Sequence, residues 1–105
     1  ILPDWLGELT KLTSLTIINT NITELTKVIL NLPHLEVLIL ENCKIVKMPS
    51  WLDEMDALEY LHVINNRNKI KEFPLRIPKK LRLLEINIEE LDSERQKELR
   101  SLLES

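Results

Sequence analysis

Residues 35–49 read LEVLILENCKIVKMP, which spells L-x-x-L-x-L-x-x-C-x-I-x-x-M-P. The spelling recurs at a fixed period. Shifting the chain by 23 residues aligns Leu12, Leu35, Leu58 and Leu81, and three places on it aligns Leu15, Leu38, Leu61 and Leu84. Ile17, Leu40, Val63 and Ile86 make a third column, Leu6, Ile29, Leu52 and Leu75 a fourth, and Leu9, Leu32 and Met55 a shorter fifth. Self-similarity over so many columns marks stacked repeats, in which each unit buries its apolar face only against its neighbours.

Within each unit the period-two pattern L-x-L predicts a short strand, and the fixed repeat predicts that successive strands lie parallel. The expected strands are Ser14–Ile18, Val37–Glu41, Tyr60–Ile64 and Leu83–Asn87. Alternation along a strand sends the Leu and Ile columns inward and the residues between them outward. Leu6, Leu9 and Leu12, like Leu52, Met55 and Leu58, are three apart, a spacing that predicts 3₁₀ turns on the return side. Pro3-Asp4-Trp5-Leu6 and Pro49-Ser50-Trp51-Leu52 are near copies. They predict a strand stop at proline, a turn capped by Asp4 or Ser50, and both tryptophans packed on the convex side.

The pattern resembles the leucine-rich repeat family over residues 1–91. That resemblance implies an α/β solenoid: a curved parallel sheet of about four short strands with irregular or 3₁₀ convex turns. Thr20, Cys43 and Asn66 stand in the family's Asn-like column, whose side chains bond the backbone of adjacent turns. Cys43 is therefore read as a structural rung rather than a nucleophile. The LP-x-WL-like segments and the Cys in that column are similar to the irregular repeats of intracellular plant-type immune receptors, in which such a segment senses a ligand or restrains the receptor. Repeats of bacterial proteins and of intracellular scaffolds for small GTPases or phosphatases resemble it too.

One repeat departs from the period. Asn66 and Ile70 stand two residues further apart than Cys43 and Ile45, and Phe73–Leu81 is two residues shorter than Met48–Leu58. The next strand thus keeps its register, and the extra length falls in Asn65-Asn66-Arg67-Asn68-Lys69, read as a solvated, tolerated bulge. After Ile86 the pattern stops. Ser93 and Gln96 at capping-box spacing, with Leu99, Leu102 and Leu103 on one stripe, predict a C-terminal helix over 92–105 that caps the last strand of the same domain. Ile1-Leu2-Pro3 aligns with Lys47-Met48-Pro49, the close of a unit, so the chain reads as part of a longer solenoid or complex.

Composition narrows the function. A chain of 105 residues has room for one compact domain, and its net charge of −3 argues against a general nucleic-acid binder. Between Arg67 and Arg82 seven basic residues face one acid, Glu72, but the run's one aromatic residue, Phe73, falls in a core column and is not placed to stack on bases. It reads as a solvated edge. A single cysteine permits no internal disulfide, which favours an intracellular, cytoplasmic setting. No apolar run reaches the roughly 18 residues of a membrane span. His34 and His62 are 28 residues apart with no ligand at metal spacing, and the lone glycine, Gly7, excludes glycine-rich phosphate loops. Neither catalysis nor a cofactor is expected, which leaves a protein partner.

The surface offered to that partner is the concave face. Its outward positions form three stripes: Ser14, Val37, Tyr60, Leu83; Thr16, Ile39, His62, Glu85; and Ile18, Glu41, Ile64, Asn87. Val37, Ile39, Tyr60, His62, Ile64, Leu83 and Glu85 are the candidate partner-binding residues. An apolar patch rimmed by Glu36, Glu41, Glu59 and Glu85 has the anatomy of a protein interface, and equally β-branched residues are simply good strand formers. Three gaps of about 4.8 Å and five residues at about 3.3 Å give on the order of 240 Å² in projection. A standard interface takes roughly 800 Å² per partner, so turn loops or further repeats must contribute.

Overall fold

Four strands stand side by side in a computed structural model that describes residues 2–74, 76–86, 93, 94, 96 and 97. They are β1 (Ser14–Ile18), β2 (Val37–Glu41), β3 (Tyr60–Ile64) and β4 (Leu83–Ile86). All pair parallel, in sequence order, in one open sheet. Leu15 faces Leu38, Leu38 faces Leu61 and Leu61 faces Leu84, so every paired column keeps the 23-residue step read from the sequence. The inward columns are sealed in β2 and β3 and partly covered at Leu15, Leu84 and Ile86 of the outer strands. Leu38, Leu40, Leu61 and Val63 are buried, with Leu35, Leu52 and Leu58 of the neighbouring columns.

The return side is built from the expected 3₁₀ turns, in segments Asp4–Glu8, Lys27–Asn31 and Leu52–Glu54. The three-residue spacing has a direct cause. The amides of Leu6, Leu9 and Leu12 donate to the carbonyls of Pro3, Leu6 and Leu9, three linked turns that recur from Thr26 to Leu35 and from Pro49 to Leu58. Each turn thus brings the next apolar side chain back to the same side, where it reaches the core. Neither Asp4 nor Ser50 caps a segment through its side chain. Pro3 and Trp51 hold the capping positions instead, and Asp4 is already inside the first turn. Gly7 has a packing role here: a Cβ on it would come within 3.0 Å of Asn31 and Val28 of the next segment.

The two near-copied tryptophans differ. Trp51 is 9% exposed and belongs to the core, whereas Trp5 is 59% exposed. Glu24, Leu25, Thr26 and Lys27 of the preceding unit border Trp51. Trp5 has no earlier unit in this sequence to lie against.

The register change in the third unit is visible in the backbone. A minor ladder beyond the strands pairs Glu24 with Lys47, a step of 23, and then Lys47 with Glu72, a step of 25. The inserted stretch is solvent-exposed, as read from the sequence, but it is also tied to the neighbouring turns. The Arg67 amide donates to the Cys43 carbonyl at 2.7 Å, and its guanidinium crosses to the Thr20 carbonyl and to Asn21 Oδ1, two units back. Asn68 Nδ2 donates to the Lys44 carbonyl. The insertion is a strap across the turns.

β1, β2 and β3 are each followed by a left-handed residue, Asn19, Asn42 and Asn65, with φ between 53° and 58°. Asparagine tolerates that region better than other side chains with a Cβ. The amides of Asn19 and Asn42 donate to the carbonyls of Glu41 and Ile64, and Asn42 Nδ2 donates to Asn19 Oδ1, which links the first two of these turns. The conformational role therefore sits one residue before the Thr20, Cys43 and Asn66 column. Replacing Asn42 by Ala is expected to cost about 1 kcal/mol more than replacing it by Gly, because both lose the side-chain bond and only Ala is strained. Parallel urea titrations of the two variants would measure the difference.

In the Asn-like column Cys43 and Asn66 reach backbone groups as the resemblance implies, whereas the Thr20 side chain bonds the Cys43 sulfur. Asn66 Oδ1 accepts from the Ile45 amide at 2.8 Å and its Nδ2 donates to the Ile45 carbonyl at 2.7 Å. Cys43 Sγ is within reach of the Ile17 and Glu41 carbonyls, and the Thr20 hydroxyl donates to it. The C-terminal helix expected over 92–105, all but four of its residues, lies outside the described residues, as do Asn87 and Leu75.

Candidate functional site

Strand alternation divides the sheet into a sealed side and an open side. In β2 and β3 every second residue is buried and those between are half-exposed. The open-side residues fall into register as rows: Ser14, Val37, Tyr60 and Leu83 in one, and Thr16, Ile39, His62 and Glu85 in the next. Ile18, Glu41 and Ile64 make the third. All seven candidate residues, Val37, Ile39, Tyr60, His62, Ile64, Leu83 and Glu85, therefore lie on one face. Val37, Ile39, Tyr60, His62 and Ile64 are half-buried by their neighbours, while Leu83 is 44% exposed and Glu85 lies in solvent.

Charge is arranged around this apolar centre. His62 Nδ1 lies 3.6 Å from Glu85 Oε1, joining β3 to β4. Where the strands begin, Glu36, Glu59 and Arg82 form a row, and Arg82 stands 3.5 Å from Glu59. Beside that row a recess of about 260 Å³ is lined by Pro33, His34, Glu36, Asp56, Ala57, Glu59 and Lys80. Lys79 approaches Asp56 at 3.8 Å. The long basic run is thus not one patch. Arg67 straps the turns at the strands' C-terminal ends, whereas Lys79, Lys80 and Arg82 stand at their N-terminal ends.

Ile18, placed in the third outward stripe but not among the seven candidates, is 47% exposed and extends the patch to β1. The recess was missed, although His34, Ala57 and Lys80 share the 23-residue step, as do Glu36, Glu59 and Arg82. Among the described residues no three His, Cys, Asp or Glu side chains are grouped to hold a metal ion. Cys43 is buried and free.

The whole chain, residues 1–105, matches the family described as leucine-rich repeat region. The chain belongs to the leucine-rich repeat family. No curated protein matches it significantly. Leucine-rich repeat regions generally mediate protein–protein interaction and are generally not catalytic, which accords with a surface that gathers apolar and charged side chains on an open sheet. Among the described residues of this leucine-rich repeat, no helix is long and apolar enough to cross a membrane.

Proposed function

We propose that the chain is a protein-recognition module that takes its partner on the concave, open face of the sheet. In this reading it is the sensing or restraining part of a larger intracellular receptor, with residues 92–105 closing the solenoid. The observation that carries it is the row register: Val37, Ile39, Tyr60, Ile64 and Leu83 lie in adjacent rows of one face, with Glu36, Glu41, Glu59 and Glu85 at its border. A solvated strand face would ordinarily turn polar at these positions. The lone, buried Cys43 supports the cytoplasmic setting.

The test is a comparison of variants. Tyr60→Ala with His62→Ala should abolish partner co-purification, while Asp53→Ala on the convex side should leave it intact. Binding that survives the double substitution would remove the face from consideration.

A second reading, a structural segment packed inside a larger solenoid or complex, is favoured by one observation. Trp5, Leu9 and Ile18 of the first unit are 59%, 44% and 47% exposed, and β1 has one edge without a strand partner among the described residues. It predicts that the isolated chain associates through that side, which light scattering combined with circular dichroism would detect. A folded monomer at all concentrations would speak against it.

A further inference from the structure

We propose that the free edge of β1 pairs with the β1 edge of a second copy of this chain, antiparallel and two-fold about Thr16, joining the two sheets into one. The proposal rests on the second reading, association through the first unit, and names the occupant and its register. It is independent of what the concave face binds.

The backbone supplies the first argument. The Thr13 carbonyl accepts from the Val37 amide and the Asn19 amide donates to the Glu41 carbonyl, so both residues turn toward β2. Backbone groups alternate in direction along a strand, which sends the N–H and C=O groups of Ser14, Thr16 and Ile18 to the other edge. No strand covers that edge among the described residues, where the sheet order runs β1 to β4. A row of such groups is a template for one more strand. A two-fold axis at Thr16 sets Thr16 against Thr16, and Ser14 against Ile18 of the second copy. These are the residues that can exchange bonds in pairs, about six backbone bonds in all.

Charge gives the second argument. From Leu12 to Thr23 the chain carries no charged residue. Exposed edges are ordinarily guarded by lysine or proline, and Ser14–Ile18 contains neither. The other three strands contain or directly follow charged residues: Glu36, Glu41, Glu59, Arg82 and Glu85. The one strand with an open edge is thus the uncharged one, and it meets its own copy without repulsion. Lys11 and Glu24, the charged residues that bracket the stretch, are opposite in sign. Reversal of direction brings the Lys11 end of one copy beside the Glu24 end of the other. Asp4 and Glu8 lie in the arm behind the strand.

Side-chain cover gives the third. Facing residues of an antiparallel pair share a side of the sheet, so this register joins Leu15 to Ile17 on the core side and keeps Thr16 on the open side. Leu15 is only partly buried, whereas Leu38 and Leu61 of its column are fully buried. Of the four large hydrophobic residues exposed among those described, Trp5, Leu9 and Ile18 belong to this unit and only Leu83 lies elsewhere. Five residues at about 3.3 Å give a paired edge of only about 17 Å, so the dimer is a weak one, formed at micromolar concentration or above.

The experiment uses the full 105-residue chain. Sedimentation equilibrium from micromolar to millimolar concentration is expected to show a monomer–dimer equilibrium that stops at the dimer. Mixing labelled with unlabelled protein should give an inter-copy NOE between the Hα protons of Leu15 and Ile17, the close contact of an antiparallel pair. Thr16→Lys, at an exposed position, sets like charges on the axis and should raise the dimer Kd about fivefold or more. Thr16→Pro removes an N–H that points to the free edge and leaves the ladder to β2 intact, so it should weaken the dimer further. Circular dichroism checks both folds, and Thr16→Lys carries the test where Thr16→Pro does not fold. Asp53→Ala, on the convex side of the third unit, should leave the Kd unchanged. Association that Trp5→Ala weakens but that ignores Thr16→Lys and lacks the inter-copy contact would overturn the β1 pairing while the second reading stood. Growth past the dimer would mean a head-to-tail contact through another edge and overturn the two-fold. A folded monomer at every concentration would remove both the pairing and the second reading.

Discussion

Trp51→Ala is expected to destabilise the fold by about 3–5 kcal/mol, whereas Trp5→Ala should cost less than about 1 kcal/mol. The two residues sit in matching Pro-x-Trp-Leu segments and follow one repeat column offset by two periods. The residue deleted is the same, and in each segment the following leucine amide bonds back to the proline carbonyl. What differs is cover: Trp51 is 9% exposed and Trp5 59%. Removing the indole at residue 51 leaves a void between two units that the 3₁₀ arms cannot close, because their linked i to i−3 bonds fix the spacing of the buried side chains. Removing it at residue 5 only trims surface. For a chain of this size the larger value is a loss of more than about 10 °C in thermal midpoint, which calorimetry would register at once. Similar midpoints for the two variants would mean that Trp51 is not packed as described.

Asn66→Ala is expected to cost about 2–3 kcal/mol, and Asn66→Asp at least as much. One amide group serves both polar atoms of the Ile45 backbone, accepting from its N–H and donating to its C=O, and donates to the Asn68 carbonyl as well. Alanine leaves the Ile45 pair without these partners beside the fully buried Ile45 side chain. Aspartate keeps the acceptor and turns the donor into a second oxygen facing a carbonyl, so it replaces attraction by repulsion. Chemical denaturation of both variants measures the difference from wild type. A variant with Asp at 66 as stable as the parent would show that the donated bonds contribute little.

Much of the fold could be read from the columns. A period of 23 with apolar residues at matched places specifies parallel strands, their register and the side that is buried, and the strands begin at the residues the pattern named. Spacing by three likewise revealed the 3₁₀ arms. What the columns could not carry were properties set by neighbours. Trp5 and Trp51 are spelled alike, yet Trp51 is buried beside the unit before it and Trp5 is exposed. Asp4 and Ser50 are good capping residues by type, yet Pro3 already fixes where the first turn starts. Asn19 was overlooked because the Asn-like column one place later drew attention, although Asn19, Asn42 and Asn65 repeat with the same period and asparagine is the residue for a left-handed turn. For the candidate site, the face and its rows were legible and the recess was not. A cavity arises where side chains from two turns diverge, and no single column spells that.

The strap formed by Arg67 changes how the stack should come apart. In a linear array each unit normally touches only the next, so the ends can melt away one unit at a time. Arg67 belongs to the third unit and holds the carbonyl of Thr20 in the first, a reach of 47 residues. That contact bypasses the middle unit, so opening the first turn without disturbing the third breaks a bond that nearest-neighbour stacking does not contain. Amide exchange should accordingly find residues 19–22 and 42–46 opening as one cooperative block rather than as a frayed margin. The inserted residues convert a row of separable units into something nearer a clasped bundle.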